Sequence, residues 1–310
     1  MDERTRKKFQ SIYRLIGKSS GVSVCLWTKK AITGKGYCYK QKFYNIKSHR
    51  CAEISPAVAY CQNNCIYCWR PMEWMKLSEF EEDEPDVIIE GALAGRKNLL
   101  SGYGGNKDTN EKIFKEAYCE FPEHWAISLS GEPLLYSKLG ALIKELKRRG
   151  AKTIFVVTNG MEPEKLAKLE EMPSQLYISL SAPNEKLFKL INRSVYPDGW
   201  QRLLKTLSIE LPVRRVIRIT LIKGWNDAYI DEFAKLVDMS RADFVEVKSY
   251  MVLGQSRERL RRDNSPEHSE VREWAQKLEM LSSYRVVDEH EPSRVVLLQR
   301  KDSTLERKLI

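Results

Sequence analysis

Three cysteines fall within eight residues, Cys61, Cys65 and Cys68, in the run CQNNCIYC. A metal centre that only holds a fold usually closes its sphere with four protein ligands, so a triad leaves one position for something else. The C-x3-C-x2-C spacing lets a tight loop present three sulfurs to one cubane iron-sulfur cluster, with a single iron free to bind a small molecule. Zinc is the rival reading and needs a histidine or a distant cysteine as its fourth ligand. Three more cysteines, Cys25, Cys38 and Cys51, are separated by twelve residues each, and Lys40 and Lys42 lie within four residues of Cys38. Cys119 stands alone on a predicted helix and reads as a structural thiol.

The elements around these residues alternate. Residues 2–18 place Phe9, Ile12, Tyr13, Leu15 and Ile16 near one helical face, whereas residues 21–55 hold no sustained period of 2 or 3.6. So long an irregular stretch is expected to be ordered by function or by a metal. PAVAY (56–60) then reads as a buried strand running into the cysteine loop. Strands are predicted near 124–130, 152–158, 174–182, 213–222 and 243–252, with helical patterns between them and over 86–100, 110–118 and 266–281; two β segments close the chain. About six βα units predict an α/β fold, a partial or full (β/α) barrel, with residues 55–310 as the barrel domain and 1–54 as an irregular cysteine-bearing extension. An open doubly wound sheet stays possible on periodicity alone. Either architecture gathers ligands at the C-terminal ends of the strands.

The chain has 310 residues and a formal charge of +10, with a pI near 9.1. Its field attracts polyanions, which makes nucleic acid a plausible partner. No segment approaches the roughly 20 apolar residues of a membrane span, and the charged N-terminus MDERTRKKFQ lacks a secretory signal. A cytoplasmic protein is expected, where clustered thiols serve metal or redox chemistry rather than disulfides.

With Tyr67 just before Cys68, the loop resembles the C-x3-C-x-aromatic-C signature of the radical SAM superfamily. The resemblance implies a cubane cluster on Cys61, Cys65 and Cys68, S-adenosyl-L-methionine on its open iron, and reductive cleavage to a 5′-deoxyadenosyl radical. Ser130-Gly131-Glu132-Pro133 resembles the superfamily's Gly-Glu-Pro motif, whose carboxylate would hold the cofactor's ammonium group. Tyr67, Thr158, Asn159, Ser179, Ser181 and Asn226 are implied as further cofactor-pocket residues.

Cys25, Cys38 and Cys51 carry a narrower resemblance, to the tRNA 4-demethylwyosine synthases of wybutosine biosynthesis. The run from Arg218 through Asn226, the segment Glu246–Met251, and Gly254–Arg257 leading to His268 agree with it. The short form resembles the archaeal type without a flavodoxin domain, which implies an external electron donor such as a flavodoxin or ferredoxin. Two [4Fe-4S] clusters are then expected, and a monomer. The implied reaction joins a two-carbon fragment of pyruvate to 1-methylguanosine beside the anticodon of tRNA(Phe). Pyruvate would be gripped by the second cluster's open iron, or by a lysine Schiff base on Lys40 or Lys42, with Lys40 preferred. Arg4, Arg6, Lys7, Lys8, the 40–50 segment and Arg257 to Arg262 are expected to meet phosphates, and Tyr44, Trp69, Trp74 and Trp225 are candidates to stack bases. Another two-cluster radical SAM enzyme, such as an activase or maturase, and a non-catalytic metal-containing RNA-binding module are the competing readings.

Overall fold

In chain order the computed structural model begins with α1 (Glu3–Gln10), β1 (Arg14–Ile16), β2 (Ser20–Ser23), α2 (Leu26–Ile32), α3 (Tyr39–Tyr44) and β3 (Cys51–Ser55); it describes residues 1–75 and 77–310. The central units are α4 (Pro85–Leu100), α5 (Glu111–Cys119), β4 (His124–Ile127), α6 (Leu139–Arg148), β5 (Thr153–Thr158), α7 (Pro163–Ala167) and β6 (Gln175–Leu180). The last are α8 (Glu185–Ile191), α9 (Gly199–Ser208), β7 (Arg215–Leu221), α10 (Ile230–Ser240), β8 (Phe244–Ser249), α11 (His268–Leu281), β9 (Tyr284–His290) and β10 (Val295–Arg300).

One sheet holds all ten strands in the order β1-β2-β3-β4-β5-β6-β7-β8-β10-β9. From β3 to β8 every neighbouring pair is parallel and consecutive, which gives the six units expected. Antiparallel strands flank this core, β2 and β1 on one side and β10 and β9 on the other. The sheet stays open, with β1 and β9 as its edges, so the closed form of the expected barrel is not built. Among the described residues no helix is long and apolar enough to cross a membrane.

Side chains alternate across a strand, and the two faces of this sheet differ accordingly. Ile54, Trp125, Ile154, Val156 and Leu176 pack with α4 and α6 on the outer face, and Ile178, Ile217, Val245 and Val247 do so with α8 to α11. The alternate positions Phe155, Tyr177, Val216 and Phe244 turn inward and meet Tyr39, Phe43 and Tyr44 of α3. Thus α3 fills the space a barrel would enclose. It ends at Asn45, which adopts a left-handed conformation as helix-terminating asparagines do.

Several local expectations change. Residues 56–60 form a turn, closed by Tyr60 N–H on the Ala57 carbonyl, and the first parallel strand is β3 just before it. Pro56 offers no N–H, while the less apolar CAEIS run supplies the ladder to β4. The first helix stops at Gln10, because Leu15 and Ile16 pair with β2 instead. The aperiodic 21–55 segment contains β2, α2, α3 and β3, elements too short to show a period. α9 has no counterpart among the expected helices, and the two β segments expected at the end of the chain pair as an antiparallel hairpin.

Candidate active site

Cys61, Cys65 and Cys68 line one pocket at the C-terminal ends of the strands, together with Tyr67, Arg70, Gly131, Glu132, Thr158, Asn159 and Ser179. The loop that carries them is held from several sides. Asn64 N–H and Ile66 N–H donate to carbonyls at Asn192 and Ile191, and Arg259 donates to the carbonyls of Ile66 and Cys68. Burial pushes the Cys61 thiol up to about 12 and raises Cys65 as well; a cationic centre bound among these sulfurs would favour their thiolate form.

Gly131 explains why the Gly-Glu-Pro segment can approach this loop. Its φ is +69°, and a Cβ would lie 1.8 Å from the Ala57 carbonyl oxygen. Glu132 N–H donates to the Tyr60 carbonyl at 2.8 Å. The Glu132 carboxylate accepts from Leu134 N–H and Thr158 Oγ1 on one oxygen and from Asn159 N–H on the other. A carboxylate has about four lone-pair sites, so one acceptor direction remains for a ligand. Burial raises this group to about 7, against those hydrogen bonds, and an arriving cation would favour its charged form. Pro133 begins the short 3-10 turn after it.

Asn159 Nδ2 lies 3.5 Å from Cys61 Sγ and 3.1 Å from Gln62 Oε1. Tyr67 is driven upward in pKa by burial and then by the Cys65 thiol. Two implied pocket residues are engaged within the protein, Ser181 also standing beside Tyr67 of the pocket lining. Ser181 donates to Asn192 Oδ1, and Asn226 is wholly buried, bonding Ile222 N–H and the carbonyls of Ser181 and Thr220. Asn226 therefore ties strand ends together rather than lining the pocket. A residue the sequence reading passed over, Asn63, sits in the pocket wall, 1% exposed, with neither amide atom partnered among the described residues. Such an orphaned polar group fits a pocket built for a ligand.

The three thiols of the second set come from three elements and lie near enough to influence one another's charge. Cys25 caps α2, with its Sγ accepting from Thr28 N–H; Cys38 precedes α3; Cys51 opens β3. Burial raises all three thiols, Cys38 to about 12, and each of Cys38 and Cys51 is raised further by Cys25. Lys40 acts in the opposite sense on Cys38 and Cys51, which places it at this triad. All seven cysteines are free, and Cys119 is exposed at the end of α5 rather than built into the structure.

Lys40 and Lys42 separate cleanly. Lys40 is buried, its Nζ 4.1 Å from the Phe155 ring centroid and 4.8 Å from that of Tyr177, without a hydrogen bond among the described residues. Burial and then Arg218 lower its pKa. Lys42 points away, pairing with Asp288 at 2.9 Å and donating to the Glu289 carbonyl. The buried Glu246 accepts from Tyr39, Tyr44, Tyr177 and Arg218 and fixes the wall beside Lys40. Charged residues at inward positions of otherwise apolar strands were its only signal.

Some residues expected to meet tRNA are engaged within the fold. Arg50 is buried against Glu120, Glu123 and the Phe121 carbonyl, and Tyr44 is wholly buried with its hydroxyl on Glu246. Arg4 stacks over Trp74, and Arg257, Arg261 and Arg262 are exposed.

An open sheet of six parallel strands carrying this cysteine loop at its C-terminal ends is the architecture of the radical SAM superfamily, and the profile of that superfamily matches residues 56–237, with a wyosine base formation profile matching 239–300. Within it, this chain belongs to the S-adenosyl-L-methionine-dependent tRNA 4-demethylwyosine synthases. The synthase of Pyrococcus abyssi is 45% identical over 94% of this chain and 86% of its own length. That of Methanocaldococcus jannaschii is 39% identical over 97% and 99%. A solved structure of TYW1 with a lysine-pyruvate adduct bound superposes with a TM-score of 0.89 at 38% identity, covering 99% of both chains. The family brings an iron-sulfur cluster and S-adenosylmethionine to the chain, and makes tRNA its substrate.

Proposed function

We propose that this enzyme joins the two-carbon fragment C2–C3 of pyruvate to 1-methylguanosine beside the anticodon of tRNA(Phe), closing the third ring of 4-demethylwyosine as the C1–C2 bond breaks and the carboxylate carbon leaves, and that Lys40 carries the pyruvate. The observation that carries the reading is the buried, unbonded Lys40 amine between two aromatic rings at the second triad. The adduct in the related TYW1 structure supports it.

In this reading Cys61, Cys65 and Cys68 hold one [4Fe-4S] cluster and Cys25, Cys38 and Cys51 a second. The first, with S-adenosylmethionine and an electron from an external flavodoxin or ferredoxin, supplies a 5′-deoxyadenosyl radical able to take a hydrogen atom from the N-methyl group. Glu132 accepts the cofactor's ammonium through its remaining lone pair, with Tyr67, Asn159 and Ser179 shaping the pocket wall. Lys40, as the neutral amine, attacks the carbonyl carbon of pyruvate; a C=N bond forms and the carbonyl oxygen leaves as water. The rings of Phe155 and Tyr177 shield this linkage from bulk water. Val157 and Ser179 are the inward positions next above Phe155 and Tyr177 and reach the first pocket, so methyl donor and bound pyruvate can meet on one side of the sheet.

The test is anaerobic reconstitution, followed by incubation with tRNA, pyruvate, S-adenosylmethionine and reductant. Lys40→Ala is expected to make 5′-deoxyadenosine but no tricyclic base. A normal product rate from that variant at saturating tRNA removes the lysine from the reaction.

A further inference from the structure

Each thiol of the 61–68 loop has a donor facing it, and the donors are unequal. Cys61 Sγ lies 3.5 Å from both the Asn63 amide nitrogen and Asn159 Nδ2. Cys65 Sγ lies 3.9 Å from Asn192 Nδ2 and stands beside the Tyr67 hydroxyl. All of these donors are neutral. Cys68 Sγ instead lies 3.7 Å from Nη1 of Arg70, the one charged group among the described residues that donates to a sulfur of this loop.

The opposite edge of this guanidinium holds it in place. Nε donates to the Leu129 carbonyl at 2.8 Å, and Nη2 donates to that carbonyl and to the one of Ser128. Its Cζ lies 5.3 Å from the Trp69 ring centroid, and Tyr13 meets that ring edge-on at 5.7 Å. Two carbonyls just past β4 and an indole therefore fix its direction, and among the described residues no carboxylate pairs with it. Arg259, the other arginine on this loop, is spent differently. It bonds the Ile66 and Cys68 carbonyls and pairs with Glu73 at 3.0 Å.

An iron-sulfur centre takes its potential from hydrogen bonds to its sulfurs and from the charge around it. Thiolate ligands make such a centre anionic, and reduction adds one more negative charge, so a fixed cation at a ligand sulfur favours the reduced state. A charged donor does this roughly twice as strongly as a neutral one, and a guanidinium keeps its proton. We propose that Arg70 acts through Cys68 to set the potential of the first cluster: its Nη1 hydrogen bond raises that potential and brings the cluster within reach of a donor of the flavodoxin or ferredoxin class. One electron passes between them, the donor being oxidised as the cluster is reduced. This rests on Cys61, Cys65 and Cys68 holding a cluster.

The experiment is a redox titration of the anaerobically reconstituted enzyme, followed by EPR. The first centre is the signal that added S-adenosylmethionine shifts, and its midpoint is then measured without the cofactor. In Arg70→Gln the ratio of reduced to oxidised first centre at a fixed solution potential should fall about tenfold or more, the loss of one charge-assisted hydrogen bond, which lowers the midpoint by about 59 mV or more. The second centre should keep its wild-type value. Arg70→Lys, which retains the charge without the planar fork, should fall between for the first. A role confined to bracing the end of β4 would leave the midpoint unmoved wherever iron is retained. Should Arg70→Gln lose its iron, wild-type protein carrying arginine enriched in heavy nitrogen supplies a second measurement: pulsed EPR of the reduced first centre should show a coupling that Arg70→Lys removes. Arg70→Gln with the wild-type midpoint, or labelled wild type without that coupling, overturns the proposal. If no wild-type signal responds to S-adenosylmethionine, the assignment of a cluster to this loop fails, and this proposal with it.

Discussion

Cys61, Cys65 and Cys68 come from one loop, whereas Cys25, Cys38 and Cys51 come from the starts of three separate elements. The local triad needs little beyond its own turns, such as Cys68 N–H on the Cys65 carbonyl, and a few clamps from the 191–193 and Arg259 segments. The distributed triad depends on tertiary contacts. Ser48 joins its segments: its hydroxyl accepts from Cys38 N–H and donates to Gln41, and its carbonyl accepts from Thr28 Oγ1. His124 then fastens the same region to β4 by accepting Lys47 N–H on Nε2 while its Nδ1 faces Thr153 Oγ1. A site written in one loop is protected by local geometry, and a site spread from Cys25 to Cys51 is only as firm as the packing between its parts.

The strongest way to break this comparison is to delete each triad in turn. Cys-to-Ala replacement of 61, 65 and 68 is expected to abolish 5′-deoxyadenosine formation completely. Replacement of 25, 38 and 51 should leave that cleavage intact and remove the tRNA product. Iron analysis should fall in each case from about eight to about four atoms per chain. Equal loss of cleavage in both sets would mean that the sites are not separable.

Acid should discriminate between the regions next. Burial lowers His124 from 6.5 to about 4, so the folded state binds fewer protons than the unfolded one between these values. Stability supplied by neutral His124 is full above pH 6.5 and is lost as pH falls toward 4, in total about 3 kcal/mol. Protonated Nε2 could no longer accept Lys47 N–H. Amide exchange at residues 38–50 should therefore accelerate over this range before exchange in the 61–68 loop, and His124→Gln should flatten the dependence. Simultaneous loosening of both regions would contradict it.

A smaller effect is expected from Ser48→Ala. The change strips partners from Cys38 N–H and Gln41 in a buried setting, costing about 1–3 kcal/mol. Iron should leave the second centre faster under chelator, with cleavage of S-adenosylmethionine unchanged. A chelation rate equal to wild type would show that Ser48 does not hold the distributed triad together.

Legibility in the sequence follows the same division. The 61–68 loop, Glu132 and the strand ends Thr158 and Ser179 could be read because their chemistry is local to short motifs at the ends of apolar runs. The elements of the 21–55 segment could not, because α2 and α3 span only seven and six residues. Their order comes from filling the inner face of the sheet rather than from any repeating pattern of their own. Asn226 looked like a pocket residue by its place in a motif, yet its bonds are spent on backbone groups at the ends of β6 and β7.

Residue types and spacing by themselves determined that two sets of three thiols exist, that parallel strands carry the first set to their C-terminal ends, and that a lysine stands near the second. Tertiary structure decided which lysine, since α3 turns Lys40 inward between Phe155 and Tyr177 and leaves Lys42 on Asp288. It also decided that Arg218 and Glu246, far from Lys40 in the chain, share a wall with it. The physical reason is that a helix of less than two turns has no pattern to announce its buried side; the sheet face it lands on makes that choice.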